Sequence, residues 1–181
     1  MINALSNHHI LPHDGRGITK DLAVSALMKA INLDQFVANT FTIGALATNP
    51  DHHLFATSES PATFDLHQVG RHGLVEHDCS LSRPDNGLGD SFKFSHEIWS
   101  QFLKFYEGKT HTDFQTQSRA RYARVAASEA VRKAGEHKDF AYGIKELVFS
   151  YGESALMMSV LGDPKEGKVP LEYVRILFGE S

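Results

Sequence analysis

The chain has 181 residues, 41% of them hydrophobic, enough to bury a real core and normal for a single globular domain. Its 22 acidic and 18 basic side chains give a formal net charge of -4, the wrong sign for a nucleic-acid partner, whose phosphates demand a basic face. No apolar run approaches the roughly 20 residues that cross a bilayer, and a single cysteine cannot close an internal disulfide. The start, Met1-Ile2-Asn3-Ala4, carries neither a basic n-region nor an apolar h-region, so no signal peptide is visible.

The periodicity is mainly helical. Thr19 can cap a helix through about Asn32, with Leu22, Ala26, Met28 and Ile31 as its apolar stripe. Asp34 can cap a second, Gln35 to Thr48, stopped by Asn49-Pro50-Asp51. From His52 to Asp90 the chain is rich in Gly, Ser, Pro and His and reads as loop with short helices, where site residues commonly sit. Ser95 caps a helix that turns Ile98, Trp99, Phe102, Leu103 and Phe105 or Tyr106 inward. Thr112-x-x-Gln115 is a capping-box pattern for a long helix to about Ala134. Asp139 or Phe140 starts the next, towards Leu161, and Pro170 fits the first position of a last helix through Phe178. No repeat, low-complexity tract or linker divides the chain. The expectation is one all-α domain over residues 1–181.

One stretch concentrates chemistry: Glu76-His77-Asp78-Cys79-Ser80-Leu81-Ser82-Arg83. Carboxylate and hydroxyl oxygens suit a hard cation such as Mg²⁺ or Mn²⁺, and a His followed by an Asp suits an oriented proton carrier. The same side chains also suit turns and caps, with Asp78 or Ser80 bonding free backbone N–H groups. Cys79 reads as an inert, half-buried thiol. Glu153 follows Gly152 on an otherwise apolar helix, so partial burial would raise its pKa towards useful acid–base values. The plainer reading puts it on the wet face, paired with a Lys. Among the phenylalanines, Phe36, Phe41, Phe55, Phe64 and Phe149 lie on or near helical stripes and read chiefly as core, with a pocket lining open to some.

A second segment, Asn3-Ala4-Leu5-Ser6-Asn7-His8-His9-Ile10-Leu11-Pro12-His13-Asp14-Gly15, changes the reading of the first. Together they resemble the fungal heme-thiolate peroxidases, the family of chloroperoxidase and the unspecific peroxygenases. That family reads Pro-Cys-Pro, then Asn-x-Leu-Ala-Asn-His-Gly, a basic-Asp-Gly turn, Glu-His-Asp-x-Ser-x-x-Arg and a later catalytic Glu. Gly108-Lys109-Thr110-His111 and Gly152-Glu153-Ser154-Ala155 are further anchors. The Pro-Cys-Pro that ligates the heme iron would fall just before Met1, and family members usually continue beyond Ser181. The domain is therefore expected to be truncated at both ends, with the missing cysteine encoded upstream.

The resemblance implies an all-α fold, heme b, and a divalent cation, Mg²⁺ or Mn²⁺, held by Glu76, Ser80 and the His77 carbonyl with help from a heme propionate. It implies Glu153 as the acid–base group for hydrogen peroxide, His77 to orient it and Asp78 to hold the His77 ring. Arg83 is a candidate propionate partner. Small organic substrates would be oxidised, oxygenated or halogenated. Secretion is the family habit, and cytoplasmic residence is the alternative that the missing leader leaves. The competing reading is a helical relic that binds no heme and acts through protein contacts.

Overall fold

The computed structural model describes residues 2–51, 62–135, 140, 142–163 and 165–178. Its contacts cluster into two compact units, Met1–Glu76 and His77–Ser181.

Among its described residues the first unit holds four helices: α1 (Ile2–Asn7), α2 (Lys20–Ile31), α3 (Gln35–Leu46) and the short α4 (Leu66–Val69). The Thr19 hydroxyl accepts from the Leu22 N–H and starts α2, and Asn32 ends it in the left-handed conformation at φ 53°. Asp34 caps α3 through the Phe36 N–H. Two residues of β1 (Ile18–Thr19) pair antiparallel with β2 (Thr63–Phe64). Asp65 reinforces this closure by accepting from the Gly17 N–H at 2.8 Å. The core is apolar: Leu5, Leu11, Ile18, Ala23, Ala26, Leu27, Ala38, Ala45, Leu46 and Phe64. The stripe of α2 differs by one residue from its expected position. Ala23, Ala26 and Leu27 are buried, while Leu22 and Met28 are exposed, because small side chains let the helix approach its neighbour closely.

The second unit is built on α5 (His96–Leu103), a 3₁₀ turn (Lys104–Tyr106), α6 (Phe114–Lys133), α7 (Ile144–Leu161) and α8 (Leu171–Phe178). Ser95 caps α5 through the Ile98 N–H. Trp99, Phe102 and Tyr106 then face inward, where they meet Met157, Met158, Val169, Leu171 and Val174. A second small sheet joins β3 (His111–Asp113) to β4 (Lys168–Pro170), antiparallel, with Thr112 opposite Val169.

The expected all-α class is borne out, and the two small sheets refine it. At α6 the cap is Asp113, whose carboxylate accepts from Thr116 N–H at 2.6 Å, and Thr112 sits in β3 instead of capping. That hydrogen bond, foremost, holds the Asp113 carboxyl below its ordinary value. Pro170 ends β4 one residue before α8. Helix α7 begins at Ile144, with Glu146 reaching back to the Gly143 N–H at 2.9 Å. The expected start at Asp139 lies outside the described residues, as do Phe55 and residues 52–61 of the expected loop.

Candidate active site

Within the second unit, the segment from His77 to Asn86 is irregular yet more than half buried. His77, Asp78, Cys79, Leu81, Ser82 and Asp85 are each less than a tenth exposed. A buried loop must find partners for its backbone, and here two arginines of α6 supply them. Arg121 donates to the Cys79 carbonyl at 2.7 Å. Arg124 donates to the Ser80 carbonyl at 2.7 Å and to the Arg83 carbonyl at 3.4 Å. Arg124 also grips Asp85 at 2.5 Å, an ion pair shielded from water. Asp85 accepts in addition from the Cys79 N–H at 2.8 Å and from the Ser128 hydroxyl.

This frame fixes His77. Its Nδ1 lies 2.7 Å from the backbone carbonyl of Asp78. A carbonyl can only accept, so Nδ1 carries the hydrogen and Nε2 is left to face the other way. Nε2 meets Glu153 Oε2 at 3.5 Å, and the His77 ring lies parallel to Phe149, 6.3 Å between centroids. Phe149 and Glu153 are four apart on α7, hence on one face of the helix. Burial is the largest single influence on His77 and pushes its pKa down. The hydrogen bond and charge of Glu153, with the Asp78 carbonyl, outweigh it, so the net direction is up from 6.5.

The expected residues thus divide. His77 and Glu153 come together. Asp78 does hold the His77 ring, but through its carbonyl; its carboxylate accepts from the Asn86 N–H at 2.8 Å instead. Glu153 is less buried than expected, its side chain 52% exposed. A Cβ added at Gly152 would meet no described atom within 4 Å, so that glycine is not making room for a neighbour. The Arg83 guanidinium donates to the Ser82 hydroxyl at 2.8 Å. Cys79 is fully buried, beyond the half-burial expected, and burial, then the Asp85 charge, pushes its thiol up to about 12.

The side chains of the expected cation ligands Glu76 and Ser80 each have a partner within their own unit. In the first unit, Glu76 Oε2 is engaged by His72 Nδ1 at 2.6 Å. In the second, the Ser80 hydroxyl accepts from the Ser82 N–H at 3.4 Å. Among the described residues no group of three His, Cys, Asp or Glu could hold a metal, whereas Mg²⁺ and Mn²⁺ take about six oxygens. The expected set of Glu76, Ser80 and the His77 carbonyl supplies fewer oxygens than that and would need others to complete it.

A heme would need an apolar face to lie against and an axial ligand for its iron. On α7, Phe149 lies beside the acid–base pair with its ring parallel to that of His77, while Ile144, Leu147 and Val148 are exposed on other sides of the helix. The axial ligand is a different matter. A thiol raised to about 12 is not a thiolate, and Cys79 is bound into the buried loop on both sides of its peptide, so it does not fit as the iron's ligand.

Arg121 and Arg124 escaped the sequence reading. Their signal was present: Thr116, Gln117, Ala120, Arg121, Arg124 and Ser128 recur at helical spacing. That is a largely polar stripe on the buried side of α6.

Two comparisons bear on these residues. A family model described as "Peroxidase, family 2" matches residues 1–181. The chloroperoxidase of Leptoxyphium fumago is 27% identical over 140 residues, covering 70% of this chain and 36% of that protein. The chain therefore spans little more than a third of the length of the curated relative it matches.

Proposed function

The chain belongs to peroxidase family 2, and on that premise we propose that it acts on hydrogen peroxide as a heme-dependent peroxidase, oxidising, oxygenating or halogenating a small organic substrate. Its two units are read as one functional domain, in keeping with the length of the family match. The observation that carries the proposal is the contact of His77 Nε2 with Glu153.

That contact implies a shared proton. Because Nδ1–H points at the Asp78 carbonyl, a neutral His77 would aim a lone pair at the Glu153 carboxylate. One proton between the two atoms turns repulsion into attraction, and the rise in the His77 pKa agrees with it. Glu153, half in solvent, can reach a bound peroxide, take a proton from one oxygen and return it to the other. His77 keeps the carboxylate aimed and stores the proton between transfers. Phe149, its ring parallel to that of His77, helps keep water from the imidazole. Heme, when bound, supplies the oxidation chemistry.

The test loads the chain with heme and measures peroxide-dependent oxidation. Glu153→Gln should keep heme binding and lower turnover by about 10²–10⁴-fold, the usual contribution of a positioned acid–base group. Undiminished turnover would remove Glu153 from the reaction. The chemistry of Cys79 favours a second reading, a helical protein that binds no heme and acts through protein contacts. Failure of the wild-type chain to take up heme would support that reading for the chain as it stands. Appearance of the red-shifted CO band of a thiolate heme, lost in Cys79→Ala, would instead restore the thiol as a ligand.

A further inference from the structure

We propose that Arg121 is the positioning residue of the His77–Glu153 pair, a single buried guanidinium bonded to both chain segments that carry the two groups. This rests on the acid–base reading above, and it assigns the setting of that pair's geometry to a residue outside it.

Arg121 is 3% exposed. Its Nη1 donates to the carbonyl of Cys79, two residues after His77, and its Nε donates at 3.2 Å to the hydroxyl of Ser154, the residue after Glu153. The segments lie 42 and 33 residues away in sequence, so no local element relates them. Planar guanidinium donors hold fixed mutual angles, which transfers a fixed separation to whatever they bind.

Both anchor points are themselves secured. Ser154 passes its own hydrogen to the Ser150 carbonyl at 3.0 Å. Cys79 has φ 70°, a conformation a non-glycine residue keeps only when its surroundings hold it. Asp85 on its N–H and Arg121 on its carbonyl do so. A released Cys79 would swing His77, two residues upstream.

The contrast with Arg124 argues for more than structural support. Arg124 has Asp85 as its counter-charge, while both hydrogen-bond partners of Arg121 are neutral oxygens. Burial pushes Arg121 down most, and among charged groups Glu153 opposes that most. A costly buried cation that feels the Glu153 charge most among charged groups, and that itself opposes protonation of His77, acts on the pair electrically as well as mechanically.

The test needs neither heme nor peroxide. In the full chain with ¹⁵N-labelled histidine, the His77 ring signals, identified through His77→Gln, should shift when Glu153→Gln is introduced. In Arg121→Met that response should be lost, so the double variant matches Arg121→Met alone, and Arg121→Lys should recover part of it. With heme and peroxide, Arg121→Met should lower kcat by on the order of 10²-fold, with the KM for the organic substrate little changed. A folded Arg121→Met that keeps the full response to Glu153→Gln overturns the proposal. Should Arg121→Met not fold, Ser154→Ala removes one anchor and no charge, and an undiminished response there overturns it equally. Coupling present without any effect of Glu153→Gln on turnover would sink the acid–base reading while leaving the positioning role standing.

Discussion

The two units bury different things. Among the described residues the first hides three polar side chains, Ser6, Thr42 and Thr48, and the two threonines bond to carbonyls on or beside their own helix. The second hides His77, Asp78, Asp85 and Arg121 together with seven uncharged polar residues. A charge taken out of water costs several kcal/mol unless it is paired. The first unit is thus held by apolar packing that tolerates approximation. The second depends on a polar network in which each member must find its partner, and the candidate catalytic pair sits at its edge, with His77 buried and Glu153 half exposed.

Removing half of the buried ion pair should give the largest effect. Asp85→Ala leaves Arg124 without its counter-charge and is expected to cost about 3–5 kcal/mol, read as a lowered denaturation midpoint. The double replacement Arg124→Met with Asp85→Leu should recover most of that loss. Full recovery together with an undisturbed His77–Glu153 contact would show the network to be dispensable, breaking the contrast between the units.

In the first unit, Ile18→Val removes one methylene from a fully buried side chain and should cost about 0.5–1.5 kcal/mol. A loss as large as that of Asp85→Ala would mean that the apolar core is no more forgiving than the polar one.

A smaller effect is a dependence on pH. His77 binds its proton more tightly folded than unfolded, since its pKa is raised above 6.5. The associated stability is fully present below 6.5 and fades as the pH rises through the folded value. Glu153→Gln should flatten this part of the stability curve, measured by denaturation at a series of pH values. Persistence of the dependence in that variant would detach His77 from Glu153.

The smallest effect is expected at Phe36, 79% exposed on α3. Phe36→Ser should change stability by no more than about 0.5 kcal/mol, which denaturation would check. A large loss would show that this ring is covered in solution.

Much of the helical plan was legible because its signals are local. Thr19, Asp34 and Ser95 cap where their side chains predict, since a cap is decided within three residues of chain. Trp99, Phe102 and Tyr106 turn inward as their spacing requires. Helix α1 and both small sheets went unread: six residues and strands of two or three carry too little periodicity. Phe36, Phe41 and Phe149 are exposed and only Phe64 of the named rings that are described is core, because hydrophobicity alone does not say which side of a helix finds a neighbour.

The same division holds at the site. Sequence by itself marked His77 and Glu153, through motif chemistry and family resemblance, and set the all-α class through caps and helical spacing. Tertiary structure alone decided that the Asp78 carbonyl, not its carboxylate, holds the His77 ring. It also turned Glu76 to His72 and brought Arg121 and Arg124 onto a loop about forty residues upstream. The reason is physical. A residue's type states which bonds it can make, but a buried backbone carbonyl takes whichever donor the fold delivers, and that delivery is a property of distance in space, on which distance along the chain is silent.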